Sequence, residues 1–264
     1  MQDLKVAFIQ TELSWEDKTQ NLKRFDEHLK SINEEVDLIL LPEMFNTGFS
    51  INPESCGEEM SGGGVEYLMK ASQTFNAIVI GSLLVRTTGG FVNRLIAAHP
   101  SGKQETYDKR HLFRLSEEYR IFKEGNERLV VNVKGWKVRP LVCYDLRFPV
   151  WSKNTYSDGK YEYDVLVYVA NWPESRSNVW KTLLVARAME NQVYCIGVNR
   201  VGEDGHGIYH SGDSMAVDAK GNILASITSG EEAVKIISLS GRNLELNRES
   251  FTLGMDWDRF KIEL

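Results

Sequence analysis

The chain has 264 residues, 42% of them hydrophobic and 26% charged, and a formal net charge of −6. Lys and Arg are scattered rather than clustered, which excludes a basic surface for nucleic acid. Apolar runs such as Val165 to Ala170 are far shorter than the ~20 residues of a membrane-spanning helix, and "MQDLKVAFIQ" lacks the pattern of a secretory signal, so a cytoplasmic protein without a membrane partner is expected.

In chain order, strand-like and helix-like stretches alternate. Residues 5–10 are apolar and β-branched and read as a strand. Residues 15–32 place Leu22, Phe25, Leu29 and Ile32 at helical spacing. A buried strand follows at 38–41, ended by Pro42. Gly62-Gly63-Gly64 reads as a mobile loop, since it lacks the spacing and lysine of a phosphate-binding loop. A helix is expected at 66–75 and a strand at 78–82. "RTTGGFVNRLIAAH" reads as a hairpin turning at Gly89-Gly90. Strands at 129–133 and 137–142 flank a Lys134-Gly135 turn. Then come a strand at 165–170, a helix at 178–191 and a strand at 193–198. Shorter strands follow near 214–217, 223–227 and 234–237. The pattern predicts one layered α/β domain over 1–264 with mixed sheets. The tail from about 240, ending "MDWDRFKIEL", is free either to dock on a partner subunit or to pack on its own core.

Polar residues at the ends of buried strands are candidates for chemistry, because ligands often sit beyond the carboxyl ends of strands in α/β folds. Glu43 follows "DLILLP", Cys143 follows "RPLV", and Asn171 follows "DVLVYVA". Lys109 lies in "YDKRHLF" after a strand and turn. Each has a plain reading: a loop glutamate, a solvated lysine, a small buried thiol. Each also has a chemical one. A carboxylate at the rim of an apolar core suits general base work. A buried ammonium can stabilise an oxyanion. "YDLRFP" turns sharply after Cys143, where backbone N–H groups would favour a thiolate. Cys56, in a polar loop, and Cys195, inside "VYCIGV", have no such setting, and three widely spaced cysteines make neither a disulfide framework nor a zinc site. Of the five histidines only His111 and His210 lie near these candidates, and neither has a clear orienting partner for a Cys–His pair; His111 reads as ordering its own loop.

"LLPEMFNTGF", "YDKRHLF", "LVCYDLRFPVW", "VANWPESRSNVWKTLLVARAMENQ" and "HSGDSMAV", in register from Val6 to about Val217, resemble the nitrilase superfamily, the carbon–nitrogen hydrolases, and within it bacterial omega-amidases acting on 2-oxoglutaramate and related ω-amides. The resemblance implies a four-layer α-β-β-α sandwich, commonly a homodimer or higher homo-oligomer. It implies a catalytic set falling on Glu43, Lys109 and Cys143, with a second glutamate at Glu118, one residue from Glu117. It implies a thioester on Cys143, an oxyanion held by Lys109 and the Tyr144 N–H, and no metal or organic cofactor. Arg187, Glu190 and Asn191 share one helix face; a surface ion pair is the plain reading, and the resemblance favours a buried brace. Asp145 is expected to cap the turn after Cys143.

An acidic ω-amide needs a cation for its far carboxylate, and a guanidinium suits it best. Arg176 or Arg147 is expected there, with Phe49, Tyr144, Asn171 and Trp172 lining the pocket; Arg147 could instead pair with Asp145. A nitrile, N-carbamoyl or neutral aliphatic amide hydrolase would use the same three residues, and a catalytically idle binding subunit is the reading from another class.

Overall fold

The computed structural model describes residues 1–263. Two six-stranded sheets form its centre. Across the first, the order is Ala233–Leu239, Leu4–Gln10, Leu38–Leu40, Ile78–Thr87, Gly90–Ala98 and Gln104–Asp108. Across the second it is Ile223–Ser226, Met215–Val217, Tyr194–Val198, Val165–Val169, Trp136–Val142 and Val131–Val133. Each sheet has three consecutive parallel strands and antiparallel pairings outside them. Parallel neighbours require crossovers. Helices Lys18–Lys30 and Gly63–Phe75 provide them in the first sheet, and Ser177–Asn191 provides one in the second.

Period-two alternation sorts the first sheet's side chains into two layers. Val6, Phe8, Leu38, Leu40, Leu95 and Ala97 point to the second sheet and join Val138 and Leu141 in one apolar cluster. Ala7, Ile9, Ile39, Val79 and Ile96 point the other way, against Phe25, Leu29 and Leu68 of the two helices. Trp180, Leu184 and Ala188 of Ser177–Asn191 join the cluster of the second sheet. The result is the expected α-β-β-α sandwich. Gly197 sets the approach of that last helix: a Cβ there would lie 2.4 Å from Leu184 Cδ1 and 2.6 Å from Trp180 Cζ2.

Several boundaries differ from the sequence expectation. Gly63 and Gly64 open a helix rather than a loop, because the Glu58 carboxylate accepts the Val65 N–H at 3.2 Å and satisfies that helix start. The hairpin turns at Thr88-Gly89, with Gly90 already paired to Thr87. Cys56 is buried at the end of a short helix, not set in a polar loop. The strand Gln104–Asp108 and the helix Gly241–Ser250 were not expected. The tail packs on its own chain: Gln192 Nε2 donates to Phe251 O at 2.7 Å, and Trp257 meets Tyr161 edge-on at 5.6 Å. Its last residue, Leu264, lies outside the described residues. Among those residues no helix is long and apolar enough to cross a membrane.

Candidate active site

Four strands end at one place. Leu38–Leu40 leads to Glu43, Gln104–Asp108 to Lys109, Trp136–Val142 to Cys143 and Val165–Val169 to Asn171. Glu118 opens the one-turn helix Glu118–Ile121. Lys109 Nζ lies 3.0 Å from Glu43 Oε1, and 3.1 and 3.0 Å from the two carboxylate oxygens of Glu118. Glu43 and Glu118 are fully buried and Lys109 is 1% exposed. Of the two neighbouring glutamates, Glu118 makes these contacts. Glu117 is exposed, has a φ of +63° and pairs with Arg120 at 2.9 Å.

Two carboxyl groups and one amine share this buried cluster. Burial alone would lower the Lys109 pKa, but the charges of Glu118 and Glu43 outweigh it and hold the ammonium protonated. Burial raises the Glu118 carboxyl, Lys109 pulls it back, and Glu43 pushes it up again. The Asn171 backbone N–H donates to Glu43 Oε2 at 2.9 Å, and its side-chain Nδ2 to the Glu43 carbonyl at 2.6 Å. These bonds tie the end of one sheet to the end of the other.

Cys143 has a φ of +44°, the left-handed region that costs a non-glycine residue energy. The strain is held by what surrounds the turn Cys143–Arg147. Asp145, fully buried, accepts from Val142 N–H at 3.1 Å, Tyr107 OH at 2.7 Å and His111 N–H at 3.0 Å, and its Oδ1 lies 2.7 Å from His111 Nδ1. Arg187, 3% exposed, donates to the Leu146 carbonyl at 2.6 Å as a buried brace, and its pair with Glu190 at 2.9 Å runs out to the surface, where the Glu190 side chain is 37% exposed. His111 stacks on Phe148 at 3.6 Å and orders the turn as well as its own loop. Arg147 is not among the partners of Asp145.

The expected bias toward thiolate is reversed. Burial pushes the Cys143 thiol well above the usual range and Glu43 pushes it further, while Lys109 opposes both. Desolvation outweighs the few backbone dipoles of a five-residue turn. Burial therefore favours the neutral thiol over the thiolate at Cys143.

Cys143 opens onto a cavity of about 410 Å³. Phe49, Tyr144, Arg147, Asn171, Trp172 and Arg176 all lie on its wall. Arg176 is half-buried over the Phe113 ring at 5.4 Å; Arg147 is exposed, over Trp172 at 5.1 Å. Neither guanidinium has a carboxylate partner among the described residues. Sequence reasoning left out three parts of this site. Asn93, fully buried, donates to Glu43 Oε1 at 2.8 Å. Phe113 lies on the wall, and its N–H donates to Glu118 Oε2 at 2.5 Å. The tip of the hairpin formed by Val201–Glu203 and Tyr209–Ser211 brings Asp204, His206 and Ile208 to the opening. His210, just beyond, is buried; desolvation and then the Arg200 charge lower its pKa to about 4. A lone polar residue in a hairpin strand and a glycine-rich loop carry no sequence signal of this kind.

Residues 5–245 match the Carbon-nitrogen hydrolase family. The chain belongs to that family. It is 42% identical over 263 residues to Omega-amidase YafV of Escherichia coli K12, covering 99% of this chain and 100% of that protein. It is 30% identical over 223 residues to 2-oxoglutaramate amidase of Bacillus subtilis, covering 83% and 85%. Among solved structures, a CN-hydrolase superfamily protein of Xanthomonas campestris, crystallised with an arsenic adduct in its active site, superposes with a TM-score of 0.97, 38% identity and full coverage of both chains. Nit3 of Saccharomyces cerevisiae, from branch 10 of the nitrilase superfamily, gives 0.83 at 26% identity over 96% and 95%. This carbon–nitrogen hydrolase is thus a hydrolytic enzyme of the nitrilase superfamily.

Proposed function

We propose that the enzyme hydrolyses the terminal amide of small ω-amido acids of the 2-oxoglutaramate kind, giving a dicarboxylate and ammonia through a thioester on Cys143. The observation that carries this reading is that one thiol, one carboxylate and one ammonium line a cavity, with a second carboxylate, Glu118, bonded to the ammonium behind them, and that two guanidiniums without acidic partners among the described residues lie on the same wall.

In the proposed cycle Glu43 takes the proton of the Cys143 thiol as sulfur attacks the amide carbon. The carbonyl electron pair moves onto oxygen. The Lys109 ammonium and the Tyr144 backbone N–H hold that oxyanion; one such donor contributes about 3–4 kcal/mol in comparable hydrolases. The C–N bond breaks, the leaving nitrogen takes the proton from Glu43, and ammonia departs. Glu43 then deprotonates a water that attacks the thioester carbon, and the released thiolate recovers that proton. Glu118 holds Lys109 in place and, through it, positions the substrate amide. Charge stabilisation and a covalent intermediate supply the rate, so no metal or organic cofactor is assigned a part.

Arg176 is the better candidate for the far carboxylate, because it is half-buried where Arg147 is exposed. Phe49, Tyr144, Asn171 and Trp172 shape the space between. Cytoplasmic residence is part of the proposal, supported by three free thiols, as is assembly into a homodimer or higher homo-oligomer, supported by Phe251, Met255 and Phe260 left exposed near the C-terminus. Ammonia release from 2-oxoglutaramate, succinamate, glutaramate, a neutral aliphatic amide and a simple nitrile tests the reading, with Cys143→Ala as control. The ω-amides should lead. Ammonia from the nitrile alone, or none from any of the five, would overturn it.

A further inference from the structure

As a proton carrier in the proposed cycle, the Glu43 carboxylate has to be kept in one orientation. Lys109 cannot do so alone, because it bonds Glu118 as closely as Glu43, at 3.0 Å to each. Asn93 sits on the strand Gly90–Ala98, on the same face as Leu95 and Ala97, and so between the two sheets. Its side chain meets both carboxylates and its backbone meets that of Lys109. Asn93 Nδ2 donates to Glu43 Oε1 at 2.8 Å and approaches Glu118 Oε1 at 3.5 Å, and the Asn93 backbone carbonyl accepts the Lys109 backbone N–H at 2.9 Å. Two carboxylate oxygens facing one amide fix the amide's orientation, since only the NH2 end can meet both.

The consequence falls on the two oxygens of Glu43. Oε1 takes two charge-assisted donors, Lys109 Nζ and Asn93 Nδ2; Oε2 takes one, the Asn171 N–H. Each donor to a carboxylate oxygen lowers that oxygen's affinity for a proton. With Oε1 doubly occupied, Oε2 is the more basic atom.

We infer that Asn93 is a positioning residue for the reaction: by occupying Glu43 Oε1 it directs the shuttled proton onto Oε2 and keeps the Glu43 and Glu118 carboxylates from sharing one. A second observation agrees. Asn93 Oδ1 is buried and has no hydrogen-bond partner among the described residues. A buried orphan acceptor costs stability. The end of the amide that finds partners is the one that meets the two carboxylates, so the polar contacts of this side chain are confined to the Glu43–Glu118 pair.

The inference rests on Glu43 being the base, and the test separates the two. The pH profiles of kcat and kcat/KM are measured for the wild type, Asn93→Leu, Asn93→Asp and Glu43→Gln on one ω-amide, with thermal melts to establish folding. Removing a donor raises the pKa of the carboxylate it served. The acidic limb of kcat should therefore move to higher pH in Asn93→Leu and further in Asn93→Asp, which adds a like charge. In Asn93→Leu, kcat should fall about 10- to 100-fold, the usual worth of general-base assistance impaired but not abolished, with KM nearly unchanged. Folded variants that keep the wild-type limb, or lose activity only through KM, would overturn the assignment to Asn93. Wild-type activity in Glu43→Gln would remove the base itself, and this inference with it. Where Asn93→Leu does not fold, the acidic limb of Asn93→Asp decides the question by the same criterion.

Discussion

Replacing Arg176 with alanine should change which amides the enzyme accepts. The Arg176 guanidinium lies 5.4 Å from the Phe113 ring centroid, and its backbone is pinned by Trp172 Nε1 donating to its carbonyl at 3.0 Å. Burial holds its pKa below that of an ordinary arginine, and the nearby Arg147 adds to the effect. An acidic substrate would bring the first carboxylate this group meets. A hydrogen bond to a charged partner contributes about 1.5–3 kcal/mol net; the half-buried setting argues for the middle, ~2 kcal/mol, or about 30-fold in kcat/KM. The far carboxylate does not react, so the loss should appear mainly as a raised KM. A neutral aliphatic amide of equal length should change by less than about 3-fold, the scale of a lost surface contact. Arg176→Lys should recover part of the loss, keeping charge without the planar fork. Arg147→Ala, at an exposed position, should cost no more than the ~1 kcal/mol of a surface pair. Steady-state kinetics on the two amides decides the matter. An equal loss on both would refute the role given to Arg176.

Three further outcomes follow from the same geometry. Lys109→Met leaves Glu43 and Glu118 buried without a counter-cation; it should destabilise the fold by about 3–5 kcal/mol at neutral pH and recover part of that in acid as a carboxyl protonates, read by denaturant unfolding at several pH values. His210 is held neutral with a pKa of about 4 against an ordinary 6.5, so its contribution is fully present above 6.5 and is lost as pH falls from 6.5 through 4; up to on the order of 3 kcal/mol is at stake, and His210→Gln should flatten the stability profile in that window. Gly197→Ala should lower stability by about 1–3 kcal/mol by driving the Ser177–Asn191 helix off the sheet, with kcat affected only through the Arg187 brace, and a melt unchanged from wild type would contradict that packing.

The sandwich was legible because its central strands are continuous apolar runs and its crossover helices carry Phe25, Leu29, Leu184 and Ala188 at helical spacing. Elements with a thin apolar face were not. "QETYD" has Tyr107 as its one buried residue, and Gly241–Ser250 buries little beyond Leu244. The ends of strands pointed to Glu43, Cys143 and Asn171 as positions to examine, since a polar residue there breaks an apolar run. Glu118 came only from motif resemblance; of the two neighbouring glutamates it is the one that faces Lys109, while Glu117 takes the left-handed turn beside it. Asn93 left no mark, because an asparagine in a hairpin strand reads as solvent-facing alternation; its burial depends on the second sheet closing over it. The protonation state of Cys143 depends on desolvation, which no local pattern reports.

The central claim is a covalent bond between the substrate's acyl group and Cys143. Acid quench of the enzyme during turnover of an ω-amide, followed by intact-mass and peptide mapping, tests it most directly. The expected result is a mass increase equal to the acyl group, confined to the peptide bearing Cys143, discharged by water and absent from Cys143→Ala. Full ammonia release with no acylated species, or turnover surviving in Cys143→Ala, would contradict it.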